Sequence, residues 1–300
     1  ETLVDEISKQ ITDPQTGVSV FERRRANDAI NARTSNEKEE ILNRKNLELG
    51  AMGSGSDYSS FIQHAGVPSL NIGYGGEDGS GAYHSIYDSY DMYTRFIDPG
   101  FVYCATLANT VGHAVLRMAN ADILPFDYSN LHKTASIYSQ EVMNLLEGIR
   151  KSTMVENMLI NTGSYAAGDD PTKGYIEPKT KKEVPFLDFA PLQNALQRLA
   201  GSIDSLNLEY QNNMESGHSP VAFNELLYKG EQQLLAEKGL PRRPWYRNIL
   251  YAPGYYTGYG VKTLPGIREA VEQRNWTEAQ EQIKVDAEVL EKLAGYLYPR

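Results

Sequence analysis

Cysteine is almost missing from this sequence: Cys104 is the only one in 300 residues. No disulfide can close within the chain, and no thiolate-rich zinc knuckle can be built. A bound metal would have to rest on histidine and carboxylate. Basic charge is also short, with 29 Lys and Arg against 39 Asp and Glu and a net charge of −10. That balance argues against nucleic acid, or an anionic membrane surface, as the main partner. Long apolar runs are absent too: nothing approaches the roughly 20 residues a membrane-spanning helix needs. No transmembrane segment is therefore expected within these residues. The chain starts at Glu1 with a charged amphipathic stretch and shows neither an initiator Met nor a signal peptide, so it is expected to be a fragment or processed piece.

What is present suffices for folding. The 41% hydrophobic and 10% aromatic content can fill a real core in one large domain or two smaller ones. Residues 2–12 read as a helix with Leu3, Ile7 and Ile11 in line, closed by the turn DPQTG. Residues 18–45 are charged and read as solvent-facing helical pieces. A Gly/Ser loop, GAMGSGSD, then leads into a helix with Asp57 as expected N-cap, Gly66 as C-cap and Pro68 beyond it. VPSLNIGY after it reads as a strand. Such a loop, helix and strand form one unit of an α/β sheet. A Gly- and Tyr-rich loop of about 20 residues follows, a length that in compact domains usually signals function.

From residue 97 onward helices dominate. Phe101, Cys104, Ala108, Val111, Val115 and Met118 alternate spacings of three and four, as do Leu131, Ala135, Tyr138, Val142, Leu145 and Ile149; both read as core-facing stripes. Residues 161–184 form a polar excursion. Phe189, Leu192, Leu196, Leu199, Ile203 and Leu206 make another stripe, and Trp276 to Leu297 a further one. With a helix near 219–237, an antiparallel bundle of four is the expected packing, after a boundary near 120–128.

Five histidines are present: His64, His84, His113, His132 and His218. Four lie in or beside expected helices, where a lone His is ordinarily a surface or satisfied core residue. His84 instead sits in the Gly-rich loop between aromatic neighbours, near Asp78, Asp88 and Asp91, just past the expected strand, where α/β folds place their sites.

The wording of this region carries a resemblance. GSGSDYSSFIQHAGVPSLNIGY followed by AYHSIYDSYD resembles the last part of the catalytic domain of the zinc aminopeptidase and glutamate carboxypeptidase family. Farther on, RFIDPGFVYCATLAN, ANADILPFDY, GLPRRPWYRNILYAP and LPGIREAV resemble the C-terminal helical domain that the family shares with transferrin receptors. The likeness runs over most of residues 50–298, with the motifs in the family's order. It implies an α/β remnant of a zinc-peptidase domain over residues 1–122 and a helical dimerisation domain over 123–300.

In that family two zinc ions share a bridging Asp and a water, and the last ligand is the His of a Tyr-His-Ser/Thr element. Carried over, His84 is that ligand, and neutral imidazole suits zinc. Tyr83 would donate its phenolic hydrogen bond to the oxyanion of the tetrahedral intermediate; the alternative is an aromatic packed under a loop. Asp88 and Asp91 would orient the imidazole from behind, unless they are simply surface acids. Ser54, Gly55 and Ser56, with Gly53, would approach a peptide substrate through their backbone, or form an ordinary turn. Asp57 reads as a cap more than as a catalyst.

The departures matter as much. The family's other zinc ligands precede the matching segment and are absent here, and the Glu39-Glu40 pair sits too close to His84 to replace them. The 300 residues alone are therefore expected to be inactive, with zinc and activity belonging to a longer parent. Glutamate-specific relatives grip the substrate's terminal glutamate with arginines on the SLNIGY strand and a Lys-Tyr pair after the YAP motif. Here those positions look like Asn71, Gly73, Gly258 and Tyr259. A γ-carboxylate would lose charged hydrogen bonds on the order of 1.5 to 3 kcal/mol each, so relaxed or non-glutamate specificity is expected. Asn71 and Tyr259 would still line the pocket, or be merely a strand edge and part of a Tyr-rich loop.

The resemblance thus implies a di-zinc metallo-exopeptidase acting on peptides or dipeptides, a homodimer, and an extracytoplasmic setting. The alternatives are a metal-free transferrin-receptor-like scaffold or a bare dimerisation module. The surplus of amphipathic helix faces points to the same dimer. Asn275-Trp276-Thr277 is a lone glycosylation sequon. An unpaired sheet edge near SLNIGY would make the isolated chain aggregation-prone.

Overall fold

The computed structural model describes residues 1–76, 81–170, 172–173, 176, 178–216 and 221–298. Asp78 and His218, and the start of the helix expected near 219, lie outside the described residues. The chain forms two compact units. One comprises Glu1–Gly50, Ser69–Asn130 and Ser216–Leu227; the other comprises Ala51–Pro68, Leu131–Glu215 and Tyr228–Arg300. Their composition does not follow a single cut at residue 122, because residues 51–68 pack with the later helices and residues 216–227 with the earlier ones.

The first unit is built from α1 (Thr2–Gln10), α2 (Val20–Asn31), α3 (Ser35–Asn43), the single turn α4 (Tyr90–Met92) with a π-helical continuation over Tyr93–Ile97, and α5 (Val102–Ala119). Ile7 of α1 and Ile11, just past its end, are buried against Ala114 of α5, with Leu3 and Val20 beside them. The apolar line seen in the sequence is thus the side of α1 that packs. Ser19 and Thr34 start α2 and α3 with capping boxes to Glu22 and Glu37. The DPQTG turn closes on Asp13, whose carboxylate accepts hydrogen bonds from Thr16, Arg23 and Tyr103. Burial alone would raise its pKa, yet these donors hold it down at about 2. They also tie the turn after α1 to α2 and α5.

Two expectations fail in this unit. VPSLNIGY forms no strand: residues 67–76 carry no regular secondary structure, and among the described residues of the first unit only the isolated bridge Thr12–Ser19 is β-like. A strand needs a neighbour to take its backbone groups. The segment is held instead by side chains, with the Tyr74 hydroxyl 2.9 Å from Thr110 Oγ1 and its ring 5.7 Å from that of Tyr103. No sheet edge exists there to aggregate. The stripe on α5 is not core-facing either: Val111 and Val115 are 40% and 58% exposed, and Cys104 is exposed. The buried positions of α5 are the small residues Thr110 and Ala114, and α1 packs on Ala114.

In the second unit α6 (Tyr128–Asn161), α8 (Ala190–Ser216) and α11 (Trp276–Leu297) are the long helices; α7 (Ser164–Gly168) is one turn within the polar excursion. Phe189, Leu192, Leu196, Leu199, Ile203 and Leu206 are all buried, as are Ala279, Ile283, Ala287, Leu290, Ala294 and Leu297. On α6 the buried line is Ala135, Ser139, Val142, Leu146 and Thr153, slightly rotated from the expected one.

Gln193 reaches Met143, and Arg150 reaches the carbonyl of Pro185, so α8 returns antiparallel along α6. Asp188 and Gln280 exchange hydrogen bonds while Arg198 pairs with Glu291 at 2.8 Å, which makes α8 and α11 parallel. A strictly antiparallel set of four is therefore corrected. The long connection between α8 and α11 allows a crossover. The expected fourth helix, α9 (Val221–Lys229), spends its buried Phe223 and its Asn224 in the first unit, where Asn224 caps Leu124 N–H. Between α8 and α11 also lie a 3₁₀ turn (Gly230–Leu234), the hairpin β1 (Tyr251–Pro253) with β2 (Val261–Thr263), and α10 (Pro265–Glu272).

Candidate functional site

Tyr83, His84 and Ser85 sit in the first unit, on consecutive tight turns. Buried Ala82 accepts hydrogen bonds from both N–H and Oγ of Ser85, and Ser85 Oγ accepts in turn from Tyr87 N–H. This fixes the backbone with His84 at φ 59°, in the left-handed region that disfavours side chains bearing a Cβ. The Tyr83 and His84 rings stack at 3.7 Å between centroids. Tyr83 is 70% exposed, and His84 is exposed as well. Neither is packed under the loop.

Asp91 pairs with Arg95 at 3.2 Å, and Asp88 enters the turn through its N–H to Ser85; both carboxylates are exposed. Among the described residues neither hydrogen-bonds His84. Asn71 is exposed on the irregular segment that stands where the strand was expected. No group of three or more His, Cys, Asp or Glu side chains stands close enough to hold a metal among the described residues. One exposed imidazole is not a zinc site, so these residues alone do not fit the pair of ions. Glu39 and Glu40 lie on α3, which buries nothing, and Glu40 pairs with Arg44. His64 stacks on Trp245 and its Nδ1 lies 2.8 Å from that residue's carbonyl, a structural use.

Ser54, Gly55 and Ser56 are in the second unit, and the fold brings them to Tyr259 from about 200 positions away in sequence. Ser54 N–H donates to the Tyr259 carbonyl at 3.4 Å. A Cβ on Gly53 would lie 2.3 Å from that oxygen, and one on Gly55 2.9 Å from the Tyr259 ring. The glycines thus permit a close backbone approach to the hairpin loop 254–260.

That loop is fixed at both ends. Gly254 N–H donates to Gly260, and Tyr255 N–H donates to Glu269 Oε1 at 2.7 Å. Glu269 Oε2 meets Arg243 Nη1 at 2.7 Å, both side chains being nearly buried. Tyr256 and Tyr259 project outward, 79% and 64% exposed. No cation stands between 254 and 260, so the loop offers aromatic faces and hydroxyls, and nothing on it would hold a carboxylate by charge.

The helix carrying the Gly/Ser loop is a π-helix, Ser59–Ala65, ended by Gly66 at φ 65°. Its end matches expectation. Its start does not, because Tyr58 holds the N-cap position without a side-chain bond, so Asp57 is not the cap. Behind this helix is a polar knot that sequence reading missed. Gln63, fully buried, donates through Nε2 to the carbonyls of Met52 and Gly53 and accepts the N–H of Arg247 and Asn248 on its own carbonyl. Asn248, also fully buried, accepts from Leu250 N–H at 2.9 Å and donates to Ile62. Beside it, burial pushes the Glu231 carboxyl up to about 7 against a hydrogen bond with Asn248. Burial, and then the nearby Glu231 and Tyr138, raise Tyr251. The only sequence signal for this knot was a polar residue at an apolar position, as in NILY.

Residues 187–298 match the family described as the transferrin receptor-like dimerisation domain. Over most of the chain the sequence is similar to proteins described as peptidases. It is 29% identical over 256 residues to a probable glutamate carboxypeptidase of Arthroderma benhamiae, covering 83% of this chain and 30% of that protein. It is 27% identical over 238 residues to the probable glutamate carboxypeptidase LAMP1 of Arabidopsis thaliana, covering 77% and 29%. With the aminopeptidase NAALADL1 of Rattus norvegicus it shares 24% over 268 residues, covering 84% and 31%. The chain spans about 30% of the length of these relatives. The resemblance drawn from the Tyr-His-Ser and YAP motifs therefore holds for both halves of the sequence.

Proposed function

We propose that this chain is the C-terminal portion of a di-zinc metallo-exopeptidase of the glutamate carboxypeptidase and aminopeptidase kind. In this reading it contributes one zinc ligand, a substrate-facing loop and a dimerisation domain. The observation that carries it is the peptidase likeness over most of the chain, together with Tyr83 and His84 held exposed on a turn-locked loop. His84 supplies an imidazole; the remaining ligands would come from outside the 300 residues. When bound, the metal pair would supply the activated water. Tyr83, stacked on the ligand, would offer its hydroxyl to the developing oxyanion. The 300 residues alone are then inactive.

On the substrate side, Ser54, Gly55 and Ser56 would meet the peptide backbone, with Tyr259 beside them for the terminal side chain. With Asn71, Gly73 and Gly258 in place of cations, a terminal glutamate gains no charged partner from those positions. The expected preference is relaxed or non-glutamate. An extracytoplasmic setting belongs to the same reading. A panel of dipeptides ending in Glu, Leu and Phe, assayed with the full-length protein, tests it. Hydrolysis without preference for Glu, lost in His84→Ala, is expected. Strict Glu selectivity would overturn the specificity, and retained activity in the variant would overturn the role of His84.

A second reading, a scaffold without metal, is favoured by one observation: the matched family is named for dimerisation and for transferrin receptors. It predicts no hydrolysis of any dipeptide in the panel.

A further inference from the structure

The stem of the 254–260 loop is held by buried charges that stability alone does not call for. Glu269 divides its carboxylate between two partners: Oε1 accepts Tyr255 N–H and Oε2 accepts Arg243 Nη1, each at 2.7 Å. Both side chains are nearly buried, yet Nε and Nη2 of Arg243 find no acceptor among the described residues. Apolar side chains of similar volume would fill this space at lower cost, because a buried ion pair seldom offsets its desolvation and unsatisfied donors add to that cost. What apolar residues cannot supply is a fixed acceptor for Tyr255 N–H.

The neighbouring turn grips the Tyr255 ring as well. Arg242 and Arg243 place their guanidinium carbons 5.8 and 5.9 Å from its centroid. Arg242 is itself fixed by two hydrogen bonds of 2.8 Å to the carboxylate of Glu278 on α11. The turn that carries both arginines is closed by Leu240 N–H on the Tyr246 carbonyl and Tyr246 N–H on the Arg243 carbonyl. Tyr255 is therefore held by backbone and by ring, four residues before Tyr259, whose own carbonyl accepts from Ser54 N–H.

We propose that Glu269 and Arg243 are positioning residues: by fixing Tyr255 they set where Tyr259 stands beside the Gly/Ser loop, and so the choice among the terminal side chains of a peptide. The inference rests on the reading of Tyr259 as substrate-facing, and it adds the device that holds that residue in place. Buried as they are, the two act through the loop, where a displacement on the order of 1 Å is enough to weaken a fitted contact. The loop offers aromatic faces and no cation, so the side chains it favours are aromatic or large and apolar.

The test is the ratio of kcat/KM for Ala-Phe over Ala-Ala, measured with the full-length protein and two double variants. Arg243→Met/Glu269→Leu removes both charges and the acceptor together; Arg243→Met/Glu269→Gln removes the charges and keeps an acceptor for Tyr255 N–H. A wild-type ratio of at least about 10 is expected, falling about fivefold or more in the Met/Leu variant and returning to within about threefold of wild type in the Met/Gln variant. A role in stability alone would lower both rates in proportion and leave the ratio unmoved, and that result overturns the proposal. So does a wild type that does not discriminate, or a Met/Gln variant no better than Met/Leu. If Met/Leu does not fold, Glu269→Asp takes its place: its carboxylate stays paired with Arg243 but is one methylene too short to span both partners. An unchanged ratio there refutes the positioning role. A wild type that hydrolyses neither dipeptide overturns the peptidase reading and this inference with it.

Discussion

Replacing Glu231 by Gln should stabilise this protein, and only at higher pH. The carboxyl lies in the polar knot beside Asn248, and burial raises it from the ordinary 4.5 to about 7. Below pH 4.5 both folded and unfolded chains carry the proton, so the group is neutral in its effect. Between 4.5 and about 7 the unfolded chain releases the proton while the folded one keeps it, and stability falls as pH rises. At 1.36 kcal/mol per pH unit the loss reaches about 3 kcal/mol and stays constant above pH 7. The amide of the Glu231→Gln variant keeps an acceptor for Asn248 and carries no charge to bury. Urea midpoints of wild type and variant, measured from pH 4.5 to 8.5, should therefore coincide at the acidic end and separate by about 3 kcal/mol at the basic end. A separation that does not change with pH would show that the carboxyl is solvated, and the reasoning would fall.

The other perturbations act on the loop and its support. Gly53→Ala places a methyl 2.3 Å from the Tyr259 carbonyl, so the variant should lose about 2 kcal/mol or more of stability, measured by urea titration, and relax the 254–260 loop; an unchanged midpoint would contradict the close approach. Glu269→Ala leaves Arg243 as a buried unpaired cation and frees Tyr255 N–H. It should cost about 3 to 5 kcal/mol by the same assay, and a cost below about 1 kcal/mol would mean the pair is hydrated.

Helical periodicity was readable wherever the chain packs on itself. The lines Phe189 to Leu206 and Ala279 to Leu297 are buried as their spacing implies. It misled on α5, because spacing reports that a face is apolar and says nothing of what covers it: α1 meets Ala114 while Val115 stays exposed. VPSLNIGY was strand-like in composition, but strands are made by partners, and here the partners are Thr110 and Tyr103 side chains. In the candidate site, Tyr83 and His84 were legible from their motif. The meeting of Gly53 with Tyr259 and of Gln63 with Asn248 was not, since contacts across nearly 200 residues leave no local pattern.

The account stands most directly on the metal content of the full-length protein after gel filtration, compared with His84→Ala. About two zinc ions per chain, falling in the variant while its fold is retained, is the expected result. A well-folded protein without zinc, or a variant that keeps all of it, would contradict the peptidase reading and the place of His84 in it.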